Sequence, residues 1–254
     1  MGLYPSSLNE RKRIEAIFDQ VANKVAAQEK DIASLKTVID KFNLHGKSIL
    51  EVGCGMGDNL IYCSQKGAIY AEGFDISGES IKIAQEKAKG FSNILFHKCS
   101  IEEYNSEKNF NFILAWGVFE YVDNPLESLK KMVGFLSDEG ILMLLISRPI
   151  FIKRISFIIR AVLSKMPLKT MEPLAKMFSE ILKIFSSKFK RMLYTGESNT
   201  YTFEQTILEG LMVPRYNIFR HEIFTNYLQN QGFLIDFFYE AAPSMTCIIA
   251  KKYI

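Results

Sequence analysis

The chain has 254 residues, 48% of them apolar and 23% charged, with a formal net charge of +3. That is enough apolar material for one globular core, too balanced a composition for wholesale disorder, and too small a positive excess for a nucleic-acid binder by bulk charge. Four cysteines without a CxxC pair and three histidines leave no zinc site of ordinary ligand spacing, so no metal is expected, and free thiols suit a reducing, cytoplasmic setting.

The first residues, Met1 to Glu10, show no basic region followed by an apolar stretch, so no secretory leader is expected. Residues 8 to 42 carry helical spacing, first through Ile14, Ile17, Phe18, Val21 and Val25, then through Ile32, Leu35, Val38, Ile39 and Phe42. Short β-branched or apolar runs follow at 48–53, 69–75, 93–97, 110–116 and 140–147, with helix-patterned segments such as 80–89 and 125–136 between them. Strands alternating with helices predict βαβ units and a parallel sheet whose buried strands read as continuous apolar runs. His97 falls on the third run and is expected to be buried. From 151 to 196 the rhythm breaks: ten Lys or Arg face two acids, a local net of +8 that leaves −5 for the rest of the chain. Here Leu174, Met177, Phe178, Ile181, Leu182 and Phe185 make an amphipathic stripe. No apolar run is long enough to span a bilayer; the nearest, Ile150 to Leu163, is broken by Lys153, Arg154 and Arg160. A helix from His221 to Gln229 then leads to two runs, 233–240 and 245–251, expected as an antiparallel edge hairpin.

The sharpest motif is Glu51-Val-Gly53-Cys54-Gly55-Met-Gly57-Asp, directly after the first strand and before a helix. Alternate glycines let the backbone turn sharply and let a ligand lie on the main chain. Dinucleotide folds require G-x-G-x-x-G, and here the third glycine comes one residue too early. The second strand ends in Asp75, where a carboxylate can accept both hydroxyls of a ribose held at the first loop.

An acidic residue two before G-x-G-x-G resembles motif I of the class I S-adenosylmethionine-dependent methyltransferases, and the lead-in Ile17-Phe18-Asp19-Gln-Val-Ala22 is similar to that of the quinone-biosynthesis type. The resemblance covers roughly residues 14–148 and 218–251. It implies a Rossmann-like α/β fold: a doubly wound, mostly parallel seven-stranded sheet with an antiparallel edge hairpin, an N-terminal helical cap and a helical lid insertion. It also implies S-adenosylmethionine as cofactor, with S-adenosylhomocysteine as product. By position, Glu51 would lie near the methionine amino group. The loop at Gly53, Cys54, Gly55 and Gly57 would pack on the cofactor, and Asp75 would hold the ribose. Ile76 would line an adenine face, Ser100 and Ile101 the adenine edge, and Ala115 and Trp116 the methionine end. Two positions depart from the family pattern: Ser100 stands where an acid usually meets the adenine amino group, and Glu120-Tyr121 replaces a frequent Glu-His. No base is therefore carried over, and Tyr121 is left either to orient the acceptor or to pack.

One domain is expected, divided into a cap (1–46), a cofactor-binding half (47–148), a basic insertion (149–217) and a C-terminal helix with edge strands (218–254). The expected activity is methyl transfer to a small-molecule or lipid-like acceptor at oxygen. The alternative is an inactive cofactor-binding regulatory protein. The insertion, through 150–191, is either a solvated cap, a peripheral membrane contact or an attractor of anionic acceptors; nucleic acid is disfavoured.

Overall fold

Each apolar run becomes a strand. A computed structural model describes residues 8–26, 32–148, 163, 165–167, 169–170, 173–174, 176–177, 180, 213–242 and 245–252. Its strands are β1 (Ser48–Val52), β2 (Tyr70–Asp75), β3 (Ile94–Lys98), β4 (Phe110–Trp116), β5 (Leu136–Ser147), β6 (Phe233–Ala242) and β7 (Met245–Lys252). They form one sheet in the order β3-β2-β1-β4-β5-β7-β6. The first five are parallel, and β7 runs antiparallel between β5 and β6. The expected edge hairpin is therefore present.

Among the described residues six helices accompany the sheet: α1 (Leu8–Val25), α2 (Ala33–Ile39), α3 (Asp58–Gln65), α4 (Gly78–Lys87), α5 (Pro125–Gly134) and α6 (Glu222–Asn230). Strand alternation sends Leu50, Val52, Ile113 and Ala115 to one face, where they pack with Leu129 and Met132 of α5 and Phe224 and Leu228 of α6. Ile49 and Leu114 face the other way, against Leu35 and Val38 of α2, Leu60 and Cys63 of α3, and Ile81 of α4. Both faces are covered, which is why the central strands lack polar alternation. α5 starts cleanly because the Asn124 side chain caps the Glu127 N–H at 3.4 Å and Pro125 occupies the first turn.

Two expectations are corrected. β3 is an edge strand, and the His97 side chain is 45% exposed, bonded at 2.9 Å to the carboxylate of Glu72. β5 begins at Leu136 and not at Gly140, because Leu136 pairs with Phe110 before a bulge resets the register to Ile141 opposite Phe112. Within the bulge Glu139 takes φ +58°. Most of the basic insertion, 149–217, including most of the 150–191 stretch considered for membrane contact, lies outside the described residues. Of its described residues, Leu163 is buried beside Ile14, Ile17 and Val21 of α1, Leu174 packs partly on that cluster, and Met177 is exposed.

Gly57 caps α3 at φ +79°, and a Cβ there would stand 2.7 Å from Phe96 Cζ and 3.0 Å from Ala84 Cβ. The left-handed backbone costs a non-glycine residue about 1–2 kcal/mol, and overpacking adds about 1–3 kcal/mol. Gly57→Ala is expected to lower unfolding stability by roughly 2–5 kcal/mol in urea titration. An unchanged midpoint would show that α4 and β3 yield freely.

Candidate functional site

The strand order reverses between β1 and β4, and in open α/β sheets ligands bind at the carboxyl ends of the strands where this happens. A cleft of about 470 Å³ opens there. Its floor is the loop after β1. Gly53 takes φ +67°, and a Cβ would fall 2.4 Å from Val118 Cγ2, so any side chain would collide with the loop after β4. The Asp75 carboxylate pins this loop to the end of β2: Oδ2 accepts the Gly55 N–H at 2.9 Å and Oδ1 the Ser77 N–H at 2.8 Å. Beneath the floor Glu51 is buried and accepts from Asn59 Nδ2 at 2.5 Å.

Past β3, Ser100 and Glu103 bond reciprocally. Glu103 Oε2 accepts the Ser100 N–H at 3.0 Å, and Ser100 Oγ accepts the Glu103 N–H at 3.3 Å. This is the geometry of a capping box. The Ser100 backbone N–H holds the Glu103 carboxyl below the usual carboxylate range. Glu102 and Glu103 both line the cleft, so acidic groups stand beside the position that Ser100 fills.

Helix α1 roofs the cleft and is tied down along its length, with Glu10 also 3.6 Å from Arg215. Asp19 accepts from Ser77 Oγ at 2.7 Å and from the Glu79 N–H at 3.1 Å, in the first turn of α4 where the helix dipole favours an anion. Glu15 pairs with Lys98 at the end of β3. Arg11 bonds Asp123, whose carboxylate also lies 3.4 Å from Arg215 Nη1. The segment returning from the insertion is stitched to the loop after β4: Asn217 Nδ2 donates to the Val122 and Phe119 carbonyls, and Arg215 Nη1 to the Asp123 carbonyl. Tyr121 lines the cleft with its ring edge-on to Phe18 (5.0 Å) and to Tyr216 (5.6 Å). Around it the wall is apolar, formed by Ile14, Val21 and Ile76.

Of the residues marked from the sequence, Gly53, Gly55, Asp75, Ile76, Ser100, Ile101 and Tyr121 line this one cleft. Glu51, Cys54, Gly57, Ala115 and Trp116 are not among its lining residues. Cys54 is buried under the loop, Gly57 turns toward Phe96, and Trp116 packs on the α2–α4 side of the sheet. Sequence reasoning missed Arg11, Phe18, Glu103 and Asp123. For Glu103 a local signal existed, the Ser-x-x-Glu pattern at 100–103; for Arg11 and Asp123 none did, since their partners are remote in sequence. Among the described residues no group of three or more Cys, His, Asp or Glu is placed to hold a metal, and no helix is long and apolar enough to cross a membrane.

Cys99 also lines the cleft, and it is the one cysteine of the four that is not buried. Burial, reinforced by Glu103, pushes its thiol up to about 11. Alkylation requires the thiolate, so labelling by iodoacetamide should be slow at neutral pH and rise with pH until about 11. A ligand in the cleft should protect it. Fast labelling at neutral pH by peptide mass mapping would contradict this environment.

The family described as "Methyltransferase domain" matches residues 19–193. A probable (S)-tetrahydroprotoberberine N-methyltransferase 2 of Papaver bracteatum is 27% identical over 100 residues, 38% of this chain and 28% of that protein. A ubiquinone biosynthesis O-methyltransferase of Glaesserella parasuis is 27% identical over 118 residues, 43% of this chain and 50% of that protein. The chain thus spans half or less of the length of these curated relatives. Among solved structures, a magnesium protoporphyrin IX methyltransferase of Synechocystis PCC 6803 with bound SAH superposes with a TM-score of 0.53 at 16% identity, covering 95% of this chain and 86% of that one. At that identity the likeness speaks for the fold.

Proposed function

Because the chain belongs to the methyltransferase family whose domain spans residues 19–193, we propose that it transfers a methyl group from S-adenosylmethionine to an oxygen of a small-molecule or lipid-like acceptor. The observation that carries this reading is the convergence of the Gly53–Gly55 turn and the Asp75 carboxylate on one cleft at the point where the strand order reverses. The donor set fits the cofactor. A carboxylate fixed by two backbone N–H groups retains lone pairs for ribose hydroxyls. Apolar Ile76 and Ile101 line the cleft where adenine is proposed to lie, and Glu102 or Glu103 would supply an acceptor for its amino group. When bound, the cofactor supplies an activated methyl on a sulfonium.

What remains for the protein is to orient the acceptor and exclude water. Orientation alone can remove several kcal/mol of barrier without a covalent intermediate. Phe18, Tyr121 and Ile76 form the apolar part of the wall, which suits a hydrophobic acceptor, and the Tyr121 hydroxyl is the group proposed to position it. The choice of oxygen follows the ubiquinone O-methyltransferase relative. The described part of the insertion supports a lid role, because Leu163 and Leu174 pack on the roof helix. Contact of its basic residues with anionic lipid is read as a recruiting step, and it is tested by vesicle binding with Lys153, Arg154 and Arg160 changed to Glu.

Calorimetric titration with S-adenosylmethionine and with S-adenosylhomocysteine tests the cofactor, and a screen of quinols, phenols and carboxylic acids tests the acceptor. Micromolar binding of both nucleosides with turnover on an oxygen acceptor is expected. Binding without turnover on any acceptor would favour the inactive regulatory protein, and no binding would overturn the reading of the cleft.

A further inference from the structure

A second hollow, of about 230 Å³, lies at the same carboxyl edge of the sheet, beyond β4. Its floor is apolar, made by Ile146 and Phe219, both buried. Its mouth is cationic. Arg148 follows the last residue of β5, and Arg220 and His221 immediately precede α6, so two remote stretches of chain bring two arginines and a histidine to the lining of one small space. Among the described lining residues the only carboxylate is Glu222, 56% exposed and 3.7 Å from His221 Nδ1. The nine-residue α6 begins here, and the partial positive charge of its first turn adds to the same field. In the sequence, the segment whose local net charge is +8 begins at residue 151, shortly after Arg148.

We infer that this hollow is an oxyanion-binding subsite, shaped for a carboxylate or phosphate carried on an apolar body. Arginine presents a planar fork of donors that matches either group, and two forks over an apolar floor select an amphiphilic anion over a free inorganic one. The hollow is linked to the cleft by direct contacts. Ser147, the neighbour of Arg148, shares a 2.8 Å hydrogen bond with the Tyr216 hydroxyl, and Tyr216 meets Tyr121 of the cleft wall edge-on. On the reading of the cleft as a methyl-transfer site, on which this part rests, the subsite holds the anionic end of the acceptor. The basic insertion then raises the local concentration of such acceptors.

The test uses the full chain, first with S-adenosylhomocysteine affinity measured by calorimetry, then with the saturated protein titrated with inorganic phosphate, acetate, octyl phosphate and octanoate at constant ionic strength. The thermal midpoint and the heat of binding are read. A saturable response is expected, stronger for the octyl compounds than for phosphate or acetate, and lost in Arg148→Gln/Arg220→Gln while S-adenosylhomocysteine affinity is retained. If the phosphates bind and the carboxylates do not, the subsite is a phosphate site; the reverse makes it a carboxylate site. If the double variant does not fold, Arg220→Gln alone decides, since that side chain is exposed and its loss should weaken the response at least about threefold. No response in the wild type, or an equal response in the variant, overturns the proposal. An intact anion response in a protein that fails to bind S-adenosylhomocysteine would overturn the methyl-transfer reading and leave the subsite standing.

Discussion

Asp75→Ala is expected to weaken S-adenosylmethionine binding about a hundredfold or more, measured by calorimetry. The carboxylate has two tasks. It fixes the glycine loop by accepting the Gly55 and Ser77 N–H groups, and on the proposed reading it also accepts the ribose hydroxyls. Hydrogen bonds to a charged group contribute about 1.5–3 kcal/mol each. Losing the ribose contacts alone therefore costs roughly 3 kcal/mol, which is about two factors of ten in affinity. Loss of loop order adds to this, because a turn with a glycine at φ +67° has little local preference for its shape once the clamp is gone. Asp75→Asn separates the two tasks. It keeps one acceptor oxygen and should retain part of the affinity, with thermal stability close to wild type. Wild-type affinity in Asp75→Ala would remove the carboxylate from the site.

Asp123→Ala should have the second largest effect, on the rate at which the cofactor leaves. Asp123 lies in the loop after β4, with a side chain only 11% exposed, and its carboxylate holds Arg11 of the roof and Arg215 of the returning segment. Removing one partner of a buried ion pair costs about 3–5 kcal/mol, because the remaining charge stays desolvated. Arg215, 13% exposed, loses its nearer carboxylate but keeps Glu10 at 3.6 Å and the backbone carbonyl of residue 123, so its cost falls below that limit. Arg11 is 41% exposed, and water takes over much of its pairing, so the net loss falls below the buried limit. The roof stays attached through Asp19, Glu15 and the Glu10–Arg215 pair but loses its fastening at Arg11. Dissociation of S-adenosylhomocysteine should quicken about tenfold in stopped-flow displacement, with a lower thermal midpoint and faster proteolysis within α1. Moderate salt should speed release from the wild type, since Arg11 and the Glu15–Lys98 pair are part-exposed and screened, while the Asp123–Arg215 pair is not. An unchanged dissociation rate would mean that the roof is not the exit.

The two variants bear on different levels of legibility. Asp75 stands in a pattern that can be read along the chain: a β-branched run, glycines at alternate positions, and an acid closing the next run. Each piece has a local cause, because a strand needs apolar residues on both faces and a sharp turn under a ligand needs glycine. The same logic reaches Ile76, Ser100 and Ile101, which follow the ends of their strands and line the cleft.

Asp123 has no such signature, since its partners stand 112 and 92 residues away. An isolated acid after a strand reads the same whether it faces water or holds a helix in place. His97 shows the same limit. Its run looked like those of the central strands, but burial depends on whether a strand has neighbours on both sides, and that follows from the strand order. Trp116 and Ala115 show it again. Alternation puts them on opposite faces, but only the packing of α2, α3 and α4 decides that Trp116 turns away from the α5 side. Residues adjacent in the chain were enough to place the seven strands, the glycine turn and the acid closing the next run, though not where β5 starts. Tertiary structure alone decided that α1 is a roof, that Asp123 holds it, and that Arg148 and Arg220 share one hollow, because contacts between remote segments leave no periodicity in the sequence to read.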